Sequence, residues 1–119
     1  MRLAFLLLVA AAGGACGQHP EPARVAGGDV DRGRAAIERY GCAACHTIPG
    51  VPGSRGEVAT PLAAWSKRSY IAGRLVNRPD LLVRWIVAPQ SLVPGTAMPS
   101  MGVSPQDAQA MAAYLFSLE

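Results

Sequence analysis

Three residues within five positions, Cys42, Cys45 and His46, carry the most specific chemistry in the sequence. Two thiols at this spacing can each add to one vinyl group of a porphyrin, so both thioether bonds arise from neighbouring turns of one short segment. A histidine directly after the second cysteine then brings its imidazole beneath the iron. Cys42-Ala43-Ala44-Cys45-His46 therefore reads as a covalent attachment site for one haem c, with Cys42 and Cys45 as thioether donors and His46 as an axial iron ligand. Two other chemistries use the same cysteine pair. A thioredoxin-like dithiol wants a βαβ pattern around it, and none is present. Half of a zinc site wants a second pair of ligands, and only Cys16 and His19 are left over, far upstream.

An iron held by one histidine has a sixth position, and its occupant decides the chemistry. A thioether is a soft ligand that favours ferrous iron and raises the reduction potential. Of the four methionines, Met1 belongs to a leader-like segment, and Met111 falls in a helical pattern where core filling is the plainer role. Met98 and Met101 share a loop. Met98 is the preferred ligand, because Pro94 and Pro99 in Pro94-Gly95-Thr96-Ala97-Met98-Pro99 stiffen the backbone on both sides of it. Trp85 and Thr96 are read as haem surroundings, against the plainer roles of core packing and a loop hydrogen bond.

The elements that must hold these residues are helices. Asp29 is placed to cap a helix running to Gly41, with Val30, Gly33, Ile37 and Tyr40 on one face. A glycine inside that face costs about 1 kcal/mol relative to alanine, which a close approach of another helix would offset. Residues 48–64 are rich in proline and glycine and read as loop. A short helix is expected around Trp65 to Arg74. The next starts after Asn77, with Asn77 and Asp80 as a reciprocal cap and Leu81, Leu82, Trp85 and Ile86 as its apolar face; Pro89 ends it. Ser91 to Gly102 reads as loop. The last helix has the clearest start, with Ser104 as cap, Pro105 in the first position and Asp107 returning the bond. Ala108, Met111, Ala112, Tyr114 and Leu115 form a face that can meet the first helix. No strand-type alternation is strong enough to predict a sheet. The fold class is all-α, three to four helices with long loops wrapped around one covalently bound haem, whose buried mass would supplement a small core.

The chain of 119 residues divides into an export signal over 1–15, a flexible tether over 16–28 and one domain over 29–119. Arg2 precedes the apolar run Leu3–Ala12, which is too short to span a bilayer. Cys16, after Gly13-Gly14-Ala15, resembles the lipidated cysteine of a bacterial lipoprotein, although Gly13 stands where such motifs usually carry an aliphatic residue. The expected location is the periplasm or the outer face of the cell membrane, with a lipid anchor at Cys16 giving membrane attachment. Charge is uneven: residues 55–84 carry net +4, and residues 85–119 net −2. The positive stretch suits haem propionates or an acidic redox partner. No nucleic-acid partner is expected, since the net charge is modest and no basic stripe is interleaved with aromatics.

Taken together these segments resemble a class I c-type cytochrome. The residues that carry the resemblance are Gly-Asp-Val-Asp-Arg-Gly at 28–33, Cys-Ala-Ala-Cys-His-Thr at 42–47, Leu-Val-Arg-Trp-Ile with Pro-Gly-Thr-Ala-Met within 82–98, and Ala-Tyr-Leu at 113–115. The resemblance implies that the first and last helices cross, bringing Gly33 and Ile37 to Met111 and Tyr114. It also implies that Thr60, standing where relatives usually carry proline, offers its carbonyl to the N–H of His46. The function it implies is single-electron transfer by an exported monohaem protein that is not itself an enzyme, serving a respiratory oxidase, reductase or dehydrogenase and docking on the basic 55–84 region. Two alternatives stand beside it. One is a haem sensor or weak peroxidase whose sixth ligand is displaceable; the other is a structural cytochrome subunit of a larger complex.

Overall fold

A computed structural model describes residues 24–119. The apolar leader, Cys16, His19 and most of the expected tether lie outside the described residues. Helix α1 spans Val30–Arg39, and the Asp29 carboxylate accepts the amide of Arg32 at 2.9 Å, the cap that the spacing predicts. Helix α4 spans Pro105–Phe116, with the Ser104 hydroxyl accepting the amide of Asp107 at 3.1 Å. These two helices form the main contact of the fold, and α4 is buried along most of its length. Gly33 is where they touch. A Cβ there would stand 2.0 Å from the carbonyl oxygen of Ala110 and 3.0 Å from Cβ of Tyr114, so glycine is what allows the two backbones to meet. Val30, at the rim of this contact, is 43% exposed rather than buried with its expected face.

Asp107 does not return the bond to the amide of Ser104. Its Oδ1 accepts from Arg32 at 3.0 Å, and its Oδ2 accepts from Arg39, the Tyr40 hydroxyl and the Ser104 hydroxyl, each at 3.0 Å. The amide of Ser104 donates instead to the Tyr40 hydroxyl at 3.5 Å. Two cations and two hydroxyls within reach outbid one amide, because hydrogen bonds to ionised groups are the stronger kind. Foremost Arg32, then Ser104 and Tyr40, hold the Asp107 carboxyl down at about 2, below its ordinary 3.8 and against the opposing effect of burial. A pKa lowered by folding stabilises the native state above the unfolded value, and that contribution is lost as pH falls through the native one. Asp107→Asn should therefore lower the thermal midpoint at neutral pH, with the deficit relative to wild type shrinking from pH 4 towards pH 2. Asp80→Asn, which removes only an exposed pair with Arg78 at 2.6 Å, should shift the midpoint little. Equal midpoints for the two variants would show that the Asp107 knot does not tie α1 to α4.

Between the two terminal helices the structure differs from expectation in three places. Instead of a helix over Trp65 to Arg74 there is a 3-10 turn at Trp65–Lys67 and a small antiparallel hairpin, β1 Tyr70–Ile71 and β2 Leu75–Val76. Tyr70 faces Val76 and Ile71 faces Leu75. Ala72 and Gly73 have φ of 50° and 67°, the double positive φ of a tight primed turn. Strands of two residues are too short for alternation to register in a sequence. Helix α2 spans Pro79–Val87 and buries Leu82, Trp85 and Ile86, but Asn77 does not cap it. The Asn77 amide donates instead to the carbonyls of Trp65 at 3.1 Å and Arg68 at 3.0 Å, tying the hairpin to the 3-10 turn. Asp80 pairs with Arg78 rather than completing a cap. Finally, Pro89 both closes α2 and opens a single turn, α3 Pro89–Leu92, so the expected loop begins two residues late. The domain is all-α apart from the hairpin, and among the described residues no helix is long and apolar enough to cross a membrane.

Candidate functional site

After α1 the chain winds into a 3-10 turn over Cys42–Ala44, closed by the amides of Cys45 and His46 on the carbonyl of Cys42 at 3.3 and 3.0 Å. The turn leaves Cys42 half-buried and Cys45 exposed. Burial, reinforced by the neighbouring Cys45, pushes the Cys42 thiol above its ordinary pKa, against the opposing pull of its own backbone. The 48–64 loop folds back over this segment, with the amide of Ala59 on the carbonyl of Cys45 at 3.0 Å and that of Leu62 on the carbonyl of Thr47 at 2.8 Å. At Gly56 a Cβ would lie 2.1 Å from the carbonyl carbon of Cys45. Backbone therefore rests directly on backbone behind the cysteine turn.

That fold-back sets the histidine. His46 Nδ1 lies 2.7 Å from the carbonyl oxygen of Thr60. A carbonyl can only accept, so Nδ1 carries the proton and Nε2 keeps its lone pair for a metal. Such a bond also fixes the ring's orientation.

His46 and Cys42 line an apolar cleft with an open space of about 570 Å³, mouth included. Leu82, Trp85 and Ile86 of α2, Met111 and Leu115 of α4, and Ile37 of α1 line it too, as do Met98 and Met101 from the loop before α4. Met98 is half-buried against the core, and Met101 is 44% exposed. Of the predicted site residues the cleft thus gathers Cys42, His46, Met98 and Trp85. Cys45 stands just outside its lining, and Thr60 contributes a carbonyl from behind the histidine. Thr96 does not line the cleft; its amide donates to the carbonyl of Val93 at 3.1 Å and its own carbonyl accepts from Gln90. Gln90 was not singled out by sequence reasoning, because a glutamine after a proline carries no motif.

The donor set suits a haem: an imidazole, a thiol and a thioether share one cleft with hydrocarbon walls, and a second thiol lies three residues from the first. Two buried polar atoms, Trp65 Nε1 and Asn77 Oδ1, have no partner among the described residues, and neither residue lines the cleft. Among the described residues no group of three or more His, Cys, Asp and Glu gathers to hold a bare metal ion. Cys42, Cys45, His46 and Met98 are the residues that could hold the haem and its iron.

An all-α domain in which residues of a Cys-x-x-Cys-His turn and of a methionine loop line one apolar cleft has the build of a small haem-binding domain. The family model for cytochrome c matches residues 30–119, and the chain belongs to the cytochrome c family. It is therefore a haem-binding, electron-transfer type of domain. It is also similar to the cytochrome c oxidase subunit 2 of Alkalihalophilus pseudofirmus (strain ATCC BAA-2126 / JCM 17055 / OF4), with 37% identity over 91 residues. That match covers 76% of this chain but only 26% of the relative, so the chain spans about a quarter of that protein's length.

Proposed function

We propose that the protein is a monohaem electron carrier in which Cys42 and Cys45 hold the haem covalently and His46 and Met98 ligate its iron from opposite sides. One observation carries this reading: an imidazole whose Nδ1 is fixed on the Thr60 carbonyl and a half-buried thioether line the same apolar cleft. When bound, haem supplies a one-electron couple. The protein's part is to keep both ligands in place through the valence change and to exclude water with Leu82, Ile86, Met111 and Leu115. A site closed on both faces offers substrate no coordination position, so the domain acts as a carrier rather than an enzyme.

The setting follows from weaker signals. The likeness to part of an oxidase subunit 2 supports a respiratory role, with an oxidase or its donor as redox partner. The apolar leader and Cys16 support export and attachment to the outer face of the membrane through a lipid. For docking, Lys67, Arg74 and Arg84 lie in the net-positive 55–84 region, and Tyr70 and Val76 present an outward apolar pair at 58% and 56% exposure on the hairpin. An acidic partner surface with an apolar centre complements them.

The test is the visible spectrum of the haem-loaded protein, oxidised and then reduced with and without carbon monoxide. A sulfur-to-iron charge-transfer band, and a reduced spectrum that carbon monoxide does not change, are expected. A missing band together with ready carbon monoxide binding would replace the carrier with a sensor or peroxidase.

A further inference from the structure

The loop that carries Met98 has little backbone support of its own. The amide of Val93 reaches the carbonyl of Pro89 at 2.9 Å and that of Thr96 reaches the carbonyl of Val93 at 3.1 Å, but among the described residues no backbone–backbone hydrogen bond reaches Ala97 or Met98. One side chain takes over at that point. Gln90 Nε2 donates to the carbonyl oxygens of Thr96 at 2.5 Å and Met98 at 3.3 Å, while Gln90 Oε1 accepts the amide of Gly95 at 3.1 Å. The carboxamide thus uses both ends, and its orientation is set because only its nitrogen can face two carbonyls. Its base is firm: Gln90 follows Pro89, which is fully buried in the first position of α3.

We infer that Gln90 is the positioning residue for the Met98 sulfur. The inference rests on the reading that Met98 is the second axial ligand. Gln90 makes no hydrogen bond to the Met98 sulfur. It acts by clamping the Met98 carbonyl, and with it the backbone rotation that sets where the side chain points. Without the clamp, the stretch from Ala97 to Gly102 can swing the thioether away from the cleft and leave the sixth position to water or carbon monoxide. Loss of a side chain that merely strengthened the domain would lower global stability and leave the ligand equilibrium alone.

The experiment follows the sulfur-to-iron charge-transfer band of the oxidised, haem-loaded protein during a titration to high pH, together with hydrogen exchange of the Gly95 amide. Gln90→Ala should raise the fraction of protein with Met98 detached roughly tenfold at a given pH, since two or more modest hydrogen bonds are lost. The band should then disappear about one pH unit earlier than in wild type, and Gly95 should exchange faster. Gln90→Glu keeps the length and the acceptor for Gly95 but sets an acceptor against two carbonyls; it should detach Met98 at least as readily while protecting Gly95. Ser91→Ala, on the same turn, removes only a bond to the carbonyl of Ala88 at 2.7 Å and should behave as wild type. A wild-type band with unshifted titrations in both Gln90 variants overturns the role of Gln90 alone. A wild-type protein without the band overturns the ligand reading, and the role of Gln90 with it.

Discussion

Met98→Ala should lower the reduction potential by a sizeable fraction of the roughly 0.8 V over which axial ligands tune haem, and should let carbon monoxide bind the reduced protein. Met101→Ala should do neither. Both methionines line the cleft, so proximity does not separate them; order does. Met98 packs against the core, lies between Pro94 and Pro99, and has its carbonyl held by Gln90. Met101 is 44% exposed, and an exposed methionine would lose rotamer freedom, up to about 2 kcal/mol, on being fixed to a metal. Potentiometry on the two variants decides the matter. Equal drops would defeat the assignment of Met98, and a drop confined to Met101→Ala would transfer the role to Met101.

The largest loss of stability is expected from Gly33→Ala. Helix propensity favours alanine by about 1 kcal/mol, and on that ground alone the change would stabilise α1. The new Cβ, however, would lie 2.0 Å from the carbonyl oxygen of Ala110 and 2.6 Å from its carbon. These are backbone atoms inside α4, which no rotamer change can move aside. Overpacking of this sort costs about 1–3 kcal/mol and sometimes more, and here the backbone obstacle puts it at the upper end. A net loss of about 2 kcal/mol or more is a large share of the roughly 5–15 kcal/mol that holds a domain together. Denaturant titration of the haem-loaded protein should show a lower midpoint for Gly33→Ala. Ala35→Gly, on the exposed side of the same helix, should lose only the propensity of about 1 kcal/mol. A midpoint at or above wild type for Gly33→Ala would mean that α1 and α4 can part without cost.

The two terminal helices were legible in the sequence because each depends on residues a few positions apart. The spacing of Cys42, Cys45 and His46 puts them on one short turn, and Asp29 and Ser104 cap their helices through amides three residues on. The middle of the chain was less legible. Asn77 and Asp80 have the spacing of a cap, yet Asn77 is drawn to the carbonyls of Trp65 and Arg68, and Asp80 to Arg78. A two-residue hairpin leaves no pattern long enough to distinguish it from a weak helix.

What the amino-acid sequence determined by itself was local: a Cys-x-x-Cys-His turn, capped helices at both ends, and a methionine flanked by prolines. What only the tertiary structure decided was which distant groups meet. It placed Gly33 on the carbonyl of Ala110, gathered Arg32, Arg39 and Tyr40 onto Asp107, set the Thr60 carbonyl behind His46 and laid Gln90 across the methionine loop. The physical reason is range. Capping and turn geometry are settled within a helical turn of sequence, whereas the partners of a buried carboxylate, a ring nitrogen or a glutamine amide are chosen by whichever segments the packed core brings within about 3 Å.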